Sequence, residues 1–542
     1  MTDYDPLTLA GIVGKWAVER PDFQVLTVEG AGVRADETRT YAQLWDKGRG
    51  LAAGLRKLGL EPGDRVGTLL ANHVEFVDLM VASSLLGIAL VPIDPRTRGD
   101  KLIYMLAAAG CKGVVAGDYA LAEILAVRER VAGLQWVVGV PTDEGRATTP
   151  QLQAVGARPY GEVAWTDFRS EKFPGSNPDS PMELIYTSGT TGDPKGIVMT
   201  HRRYCETSKI APFLFGFKPD ERLYSGLSLT HANAQVITLG TALVNAIPCV
   251  LSRRFSKSRL WDITRKYGCT NFTLLGGMTT AIYAEPPRPN DADNPVRSII
   301  SAGMPAAIWN EFRHRFNVEL LEFYGAAEGG LTANPPGIGP VGSIGKPIAT
   351  LVHRIVDEKG NDVPPDAHGE RTGELLFRHK DGTPFKVEYF GNPEASARKC
   401  AGGWLHMGDV VREGKDGWMY FLYRKGSGIR RNGEFVNAAC IQKVIAEVPA
   451  VDDVYVYGIA SANGVPGEKD VVAAVVPKNP DLDGFDVQGL FRLCRQHLEA
   501  NAVPSRIQLL DQIPKTASEK PQDRFLIEAL DSNPAAVHVE VR

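Results

Sequence analysis

The 542 residues balance 60 Lys+Arg against 64 Asp+Glu, a formal net charge of -4, with 44% hydrophobic and 23% charged residues. A chain of this length exceeds one hydrophobic core, so at least two domains are expected, and its composition is that of an ordinary soluble protein. The absence of a Lys/Arg-rich run disfavours binding to nucleic acid or another polyanion.

The seven cysteines are scattered, with no C-x-x-C pair and no metal-ligand spacing, which reads as reduced thiols in a cytoplasmic protein. The start, Met1 to Pro6, lacks a basic segment followed by an apolar one, which argues against secretion. The longest apolar stretch, Leu79 to Val91, is too short and interrupted to span a bilayer, so membrane association is expected to be peripheral at most.

Leu44, Leu51, Leu55 and Leu58 recur at helical spacing, and Gly59 to Asp64 ends that helix. A strand from Arg65 to Leu70 follows, then a helix capped by Asn72 and running through Leu86, then a strand from Ile88 to Pro92. This β-α-β alternation with continuous apolar strands predicts a parallel sheet covered by helices on both faces.

Residues 182 to 201 place two apolar runs, Leu184-Ile185-Tyr186 and Ile197-Val198-Met199, on either side of a loop of glycines, hydroxyls and one lysine. Gly189, Gly192 and Gly196 let the backbone turn tightly and aim N–H groups at an anion. Thr187, Ser188, Thr190 and Thr191 add hydroxyl donors, and Lys195 adds charge. Most Gly/Ser/Thr clusters are plain surface turns, and this one is not a G-x-x-x-x-G-K-[ST] loop, because Asp193 and Pro194 precede Lys195.

Strands are expected again at 222–229 and 247–251, then a helix from Trp261 to Tyr267 and a strand from Asn271 to Leu275. The Pro-rich segment 285–295 forms a loop, followed by a strand (Val296 to Ser301), a helix (Ala306 to Phe316) and a strand (Glu319 to Tyr324). Beyond residue 340, short runs at Leu351 to Val356, Gly373 to Phe377, Trp404 to Val411 and Met419 to Leu422 predict a small antiparallel barrel-like subdomain. An α+β unit follows Arg424, with helices from Ala438 to Glu447 and Gly489 to Ala500 and strands from Val451 to Ile459 and Val471 to Pro477.

The string Tyr186-Thr-Ser-Gly-Thr-Thr-Gly-Asp-Pro-Lys-Gly196 resembles the signature of the adenylate-forming superfamily, which includes acyl- and aryl-CoA synthetases. The resemblance continues through Thr40 to Leu44, Gly63 to Val66, Ser301 to Pro305, Tyr324 to Glu328, Gly408-Asp409, Tyr423 to Glu434 and Pro514 to Lys520, nearly the whole chain. In local pattern, especially His231 to Gln235, it is most similar to crotonobetaine/carnitine and fatty- or cyclic-acid CoA ligases. It implies an α/β fold in two parts: a large AMP-binding domain, 1–423, of stacked α/β subdomains with the barrel-like subdomain, and a small mobile α+β C-terminal domain, 424–542.

The resemblance also implies roles. Thr187 to Gly192 and Lys195 would hold ATP phosphates, and Gly303, Met304 and Pro305 would meet adenine on one side and the acyl group on the other. Tyr324 would lie against adenine, Glu328 with Thr190 would hold Mg2+, and Asp409 and Arg424 would bind ribose or phosphate. Lys520 would be the catalytic lysine, with Lys515 as the second candidate. His231 would gate the acyl site, lined by Gln235, Gly276, Gly277, Met278, Gly303, Ala326 and Gly330, small or apolar groups that suit an uncharged carbon skeleton.

This chain departs from the family at Ala327, where threonine is usual, at Met407, at the hinge (Gly426 and Ser427), and at Glu519, which stands where glycine often precedes the lysine. The activity implied is an ATP-, Mg2+- and coenzyme A-dependent acid–thiol ligase releasing AMP and pyrophosphate. Loading of a carrier-protein thiol, or a decayed acyl-adenylate-binding protein, are the alternatives. The implied partners are the carboxylic acid, ATP and CoA, with no nucleic acid and no integral membrane segment, and a homodimer is left open.

Overall fold

The computed structural model describes residues 4–31, 35–142, 144–168, 171–187, 194–335, 337–425, 429–431, 434–436, 438–461, 469–479, 485–498, 500–516 and 519–540. The chain forms two compact units. One comprises Met1–Thr273, Pro295–Arg297 and Val387–Arg398; the other comprises Leu274–Asn294, Ser298–Lys386 and Lys399–Arg542.

The first unit carries a seven-stranded sheet in the order Arg158–Pro159, Trp136–Val140, Gly113–Gly117, Arg65–Leu69, Ala89–Pro92, Pro181–Thr187, Lys195–Thr200. Every neighbouring pair is parallel except the last, a hairpin in which Thr187 faces Lys195. The apolar runs become fully buried strands, with Leu69, Val91, Val114, Val137 and Leu184 in one core, as continuous hydrophobic stretches in a covered parallel sheet require. A second parallel set aligns Leu223–Ser225, Cys249–Leu251 and Gln24–Val28, edged by the antiparallel Glu37–Thr40.

Helix Tyr41–Lys57 begins at Thr40 through a reciprocal capping box with Gln43. Its interior glycines cost helix stability and are required by close approach: a Cβ on Gly48 would lie 2.5 Å from a Val81 methyl, and one on Gly54 would lie 2.1 Å from the Val163 oxygen.

The expected cap at Asn72 is not used. His73 occupies the N-cap position of helix Val74–Leu86 without a side-chain capping bond, while the fully buried Asn72 amide donates to the Leu227 and Ser252 oxygens and accepts from the Leu229 N–H. A buried amide satisfies its own donors and acceptors before it serves a helix end.

In the second unit, Ser298–Ala302 pairs in parallel with Glu319–Ala326, which turns back through Ala327 and Glu328 into the antiparallel Gly329–Ala333. The expected barrel-like region is a four-stranded antiparallel meander, Leu351–Val356, Arg371–His379, Leu405–Glu413, Met419–Arg424. The last sheet runs Val451–Ala460, Lys469–Pro477, Arg506–Leu509, Val537–Val539. Helices Ala438–Ala446 and Val487–His497 share one core with it, and Asp523–Ser532 packs Leu526 and Leu530 against Tyr457 and Val472. That last helix and the strand after it were not anticipated from the sequence. Among the described residues, no helix is long and apolar enough to cross a membrane.

Candidate active site

The antiparallel ladder between Leu405–Glu413 and Met419–Arg424 sets Asp409 directly opposite Arg424, so the two side chains share a face. Arg424 Nε lies 3.4 Å from Asp409 Oδ1, and the Tyr324 hydroxyl donates to Asp409 Oδ2 at 2.5 Å. Burial first, then the Asp409 charge, push the Tyr324 hydroxyl well above the ordinary phenol range, so it acts as a donor. Its ring tilts against Phe421, with centroids 6.5 Å apart. Glu328 occupies the tight turn after the Tyr324 strand and is buried.

Lys520 comes to the same place. The pKa of its ammonium is lowered by desolvation and by Arg424, while Asp409 and Glu328 act in the opposite direction. The residue is exposed, and its ammonium lies within electrostatic reach of one cation and two carboxylates. The turn that presents it is closed by Thr516 N–H to Lys520 O at 2.8 Å and by Lys520 N–H to the Thr516 hydroxyl at 3.2 Å. Glu519, where the resemblance favours glycine, adopts φ +57, the left-handed region in which a side chain is strained. Lys515 is held elsewhere, 2.5 Å from Asp453. Tyr324, Asp409 and Arg424 therefore form one bonded cluster, Glu328 and Lys520 lie within electrostatic reach of it, and Lys515 is paired elsewhere.

The basic run 424–431 separates into different jobs. Lys425 pairs with Glu374 at 2.8 Å, and the buried Arg431 donates to the Asn501 and Val503 oxygens. Arg431 thus braces the last sheet and does not offer its charge to a ligand. Gly426 and Ser427 lie outside the described residues.

The turn at Gly303, Met304 and Pro305 is held from behind by Glu322, a residue the sequence reading missed. Its carboxylate accepts from Gly303 N–H at 2.6 Å and from Met304 N–H at 3.1 Å. Burial pushes Glu322 up to about 8, against the pull of those two N–H groups. The available signal was an acid inside the apolar run Leu320-Leu321-Glu322-Phe323. Gly303 has φ +99, and a Cβ on Gly276 would lie 2.6 Å from the Gly303 oxygen, so the two segments meet backbone to backbone.

Of the remaining acyl-site candidates, Gly276, Gly277 and Met278 open helix Gly276–Tyr283, and Met278 is buried. Ala326 ends its strand beside the Glu328 turn. Gly330, at φ +70, is a packing position: a Cβ there would lie 2.5 Å from the Phe377 ring and 2.8 Å from Met407 Sδ.

His231 and Gln235 belong to the other compact unit. His231 Nδ1 accepts the Asn233 N–H at 3.1 Å, so a neutral ring carries its proton on Nε2. Gln235 lies in a π-helix, Asn233–Gly240, whose Gln235 and Val236 oxygens accept from Tyr204 and Ser208 hydroxyls at 3.0 Å. Such wide turns recur at functional sites.

Near Gln235 lies another missed residue, Glu183. It is fully buried, and neither carboxylate oxygen has a well-formed hydrogen bond among the described residues. Burial pushes it up from 4.5 to about 8, with the Gln235 amide opposing. Between those values the unfolded chain releases a proton that the folded chain keeps, so stability falls as pH rises. Glu183→Gln removes this dependence and is expected to gain, relative to the parent, on the order of 2–4 kcal/mol between pH 4.5 and 8. Urea unfolding at both pH values tests this; an identical parent–variant difference at the two would refute it.

Of the phosphate-loop candidates, Ser188, Gly189, Thr190, Thr191 and Gly192 lie outside the described residues. Thr187 ends one strand of the hairpin and Lys195 begins the other. The Lys195 ammonium sits 5.4 Å from the centre of the Tyr389 ring, a cation–π distance.

The chain matches the AMP-binding enzyme family over residues 14–383 and the AMP-binding enzyme C-terminal domain over residues 441–520. It belongs to the AMP-binding enzyme family. A medium/long-chain-fatty-acid–CoA ligase, FadD17 of Mycobacterium marinum, is 29% identical over 91% of this chain and 92% of the relative. Such relatives are acid–thiol ligases.

Among solved structures, an anthranilate CoA ligase in complex with anthranoyl-AMP superposes with a TM-score of 0.82 at 21% identity, covering 99% of each chain. The o-succinylbenzoate CoA synthetase of Bacillus subtilis, in complex with ATP and magnesium ion, gives a TM-score of 0.73 at 21% identity, covering 95% of this chain and 99% of the other. The fold of this AMP-binding enzyme is thus that of adenylate-forming ligases, as the signature loop implied.

Proposed function

We propose that this AMP-binding enzyme is an ATP- and Mg2+-dependent carboxylic acid–CoA ligase. The carboxylate attacks the α-phosphorus of ATP, pyrophosphate leaves, and the CoA thiol then attacks the acyl-adenylate to give thioester and AMP. The observation that carries the reading is the convergence of Tyr324, Glu328, Asp409, Arg424 and Lys520 from four separate stretches of chain.

In this reading Asp409 and Arg424 hold ribose and α-phosphate, and Tyr324 lies under adenine while steadying Asp409. Glu328 offers the hard oxygen that Mg2+ takes when it arrives on the nucleotide phosphates. Lys520 sits where a carboxylate and an anionic phosphate must meet, and its charge offsets theirs as the bond forms. The segment 424–542 rotates about Gly426 between the two half-reactions, and the strained Glu519 turn travels with it.

The acid is an uncharged carbon skeleton behind its carboxylate, in the medium-chain, cyclic or aromatic range. The small residues Gly276, Gly303 and Ala326 support this, as do relatives acting on fatty and aryl acids. Cytoplasmic location belongs to the same proposal. Pyrophosphate release across a panel of such acids, followed by mass detection of the acyl-CoA, tests it. The expected result is one acid class giving AMP and thioester in equal amounts. ADP as product, or thioester formed only on a holo-carrier protein, overturns it.

A further inference from the structure

Lys399 closes helix Pro393–Lys399, and its Nζ donates to the Met407 backbone oxygen at 3.3 Å. Met407 stands two residues before Asp409 on the same strand, with Gly408 between them at φ +74. The ammonium is therefore fastened to the strand that presents the Asp409 carboxylate, which holds the Tyr324 hydroxyl and Arg424.

One acceptor engages one of three ammonium protons. No other hydrogen-bond acceptor among the described residues takes the remaining two. Burial lowers the Lys399 pKa, and the charged groups that act on it are Glu328, Arg424 and Asp409. These same three act on Lys520. Glu328 is the strongest charge acting on it, and an ammonium with two protons left over can also take a phosphate oxygen brought in beside Asp409.

We propose that Lys399 is a second adenylate-binding lysine, donating to the phosphate of the acyl-adenylate beside Asp409 and retaining it while the thioester forms. The inference rests on the ligase reading. Its chemical reason lies in the second half-reaction. The thiol sulfur bonds to the acyl carbon, the bond from that carbon to the phosphate oxygen breaks, and the thiol proton passes to solvent.

The electron pair of the broken bond remains on the departing phosphate, so negative charge grows on AMP. Lys520 lies on the segment that rotates in the proposed cycle, whereas Lys399 precedes the hinge and stays with Asp409. A cation on the stationary side is what the departing AMP requires.

The test uses the full chain supplied with a chemically prepared acyl-adenylate and CoA, bypassing adenylation, together with calorimetric binding of AMP alone. Lys399→Met is expected to slow thioester formation and to weaken AMP binding, each by about 10- to 100-fold, and Lys399→Arg to restore most of both. A parental rate and AMP affinity in Lys399→Met would overturn the proposal. So would equal losses in the Met and Arg variants with a matching fall in Tm, which would leave Lys399 as only a clamp on Met407. Failure of the parent enzyme to make thioester would defeat the ligase reading instead, and the AMP affinities would still decide the role of Lys399.

Discussion

Lys520→Ala is expected to slow acyl-adenylate formation by about 10²–10³-fold, the usual loss when one preorganised charge is removed from a developing transition state. In the proposed reaction Lys520, within electrostatic reach of Asp409, Glu328 and Arg424, offsets the repulsion between ATP phosphates and the attacking carboxylate.

Single-turnover formation of adenylate from acid and ATP reads the effect directly. Thioester formation from supplied acyl-adenylate should change far less, because that step bypasses the attack on phosphorus. Because burial and Arg424 lower its pKa, the lysine loses its proton at lower pH than a free side chain. The alkaline fall in adenylation rate therefore starts below about pH 10.4 and disappears in Lys520→Ala. Undiminished adenylation in the alanine variant would remove Lys520 from the mechanism and return attention to Lys515.

Asp409→Ala is expected to raise KM for ATP by about 10- to 150-fold, the equivalent of one or two charge-assisted hydrogen bonds. The loss has two sources. In the proposed site the ribose hydroxyls lose their acceptor, and Tyr324 and Arg424 lose the group that aligns them. Tyr324→Phe separates these: it removes only the hydroxyl that donates to Oδ2 and should cost several-fold rather than tens-fold. Steady-state kinetics with ATP varied at saturating acid measures both, and equal KM values for Asp409→Ala and the parent would contradict the assigned site.

Much of this molecule was legible before any coordinates. Continuous apolar runs separated by helical periods became parallel strands, with one boundary shifted by one residue in Arg65–Leu69 and in Ala89–Pro92 and none in Asn271–Leu275. Local sequence also marked the two apolar runs that pair as Pro181–Thr187 and Lys195–Thr200, and the strands holding Tyr324 and Asp409. Where it failed, a longer-range demand won. Asn72 has the chemistry of a cap, but burial among the Leu227, Leu229 and Ser252 backbones claims its amide first. Arg431, one of a basic run in the sequence, satisfies carbonyls of a segment some seventy residues away.

The order of motifs along the chain and the alternation of strand and helix were determined by sequence alone, because each expresses a constraint acting over a few neighbouring residues. Which lysine enters the cluster, what holds the Gly303 turn, and that Lys399 stands beside Asp409 were decided only by tertiary structure. Lys515 and Lys520 differ by five positions and share one chemistry. What separates them is that Asp453 binds one while the other comes to Asp409, Glu328 and Arg424, groups brought in from distant parts of the chain. Contacts between distant segments leave no periodic trace in sequence, and the electrostatics of this site consists almost wholly of such contacts.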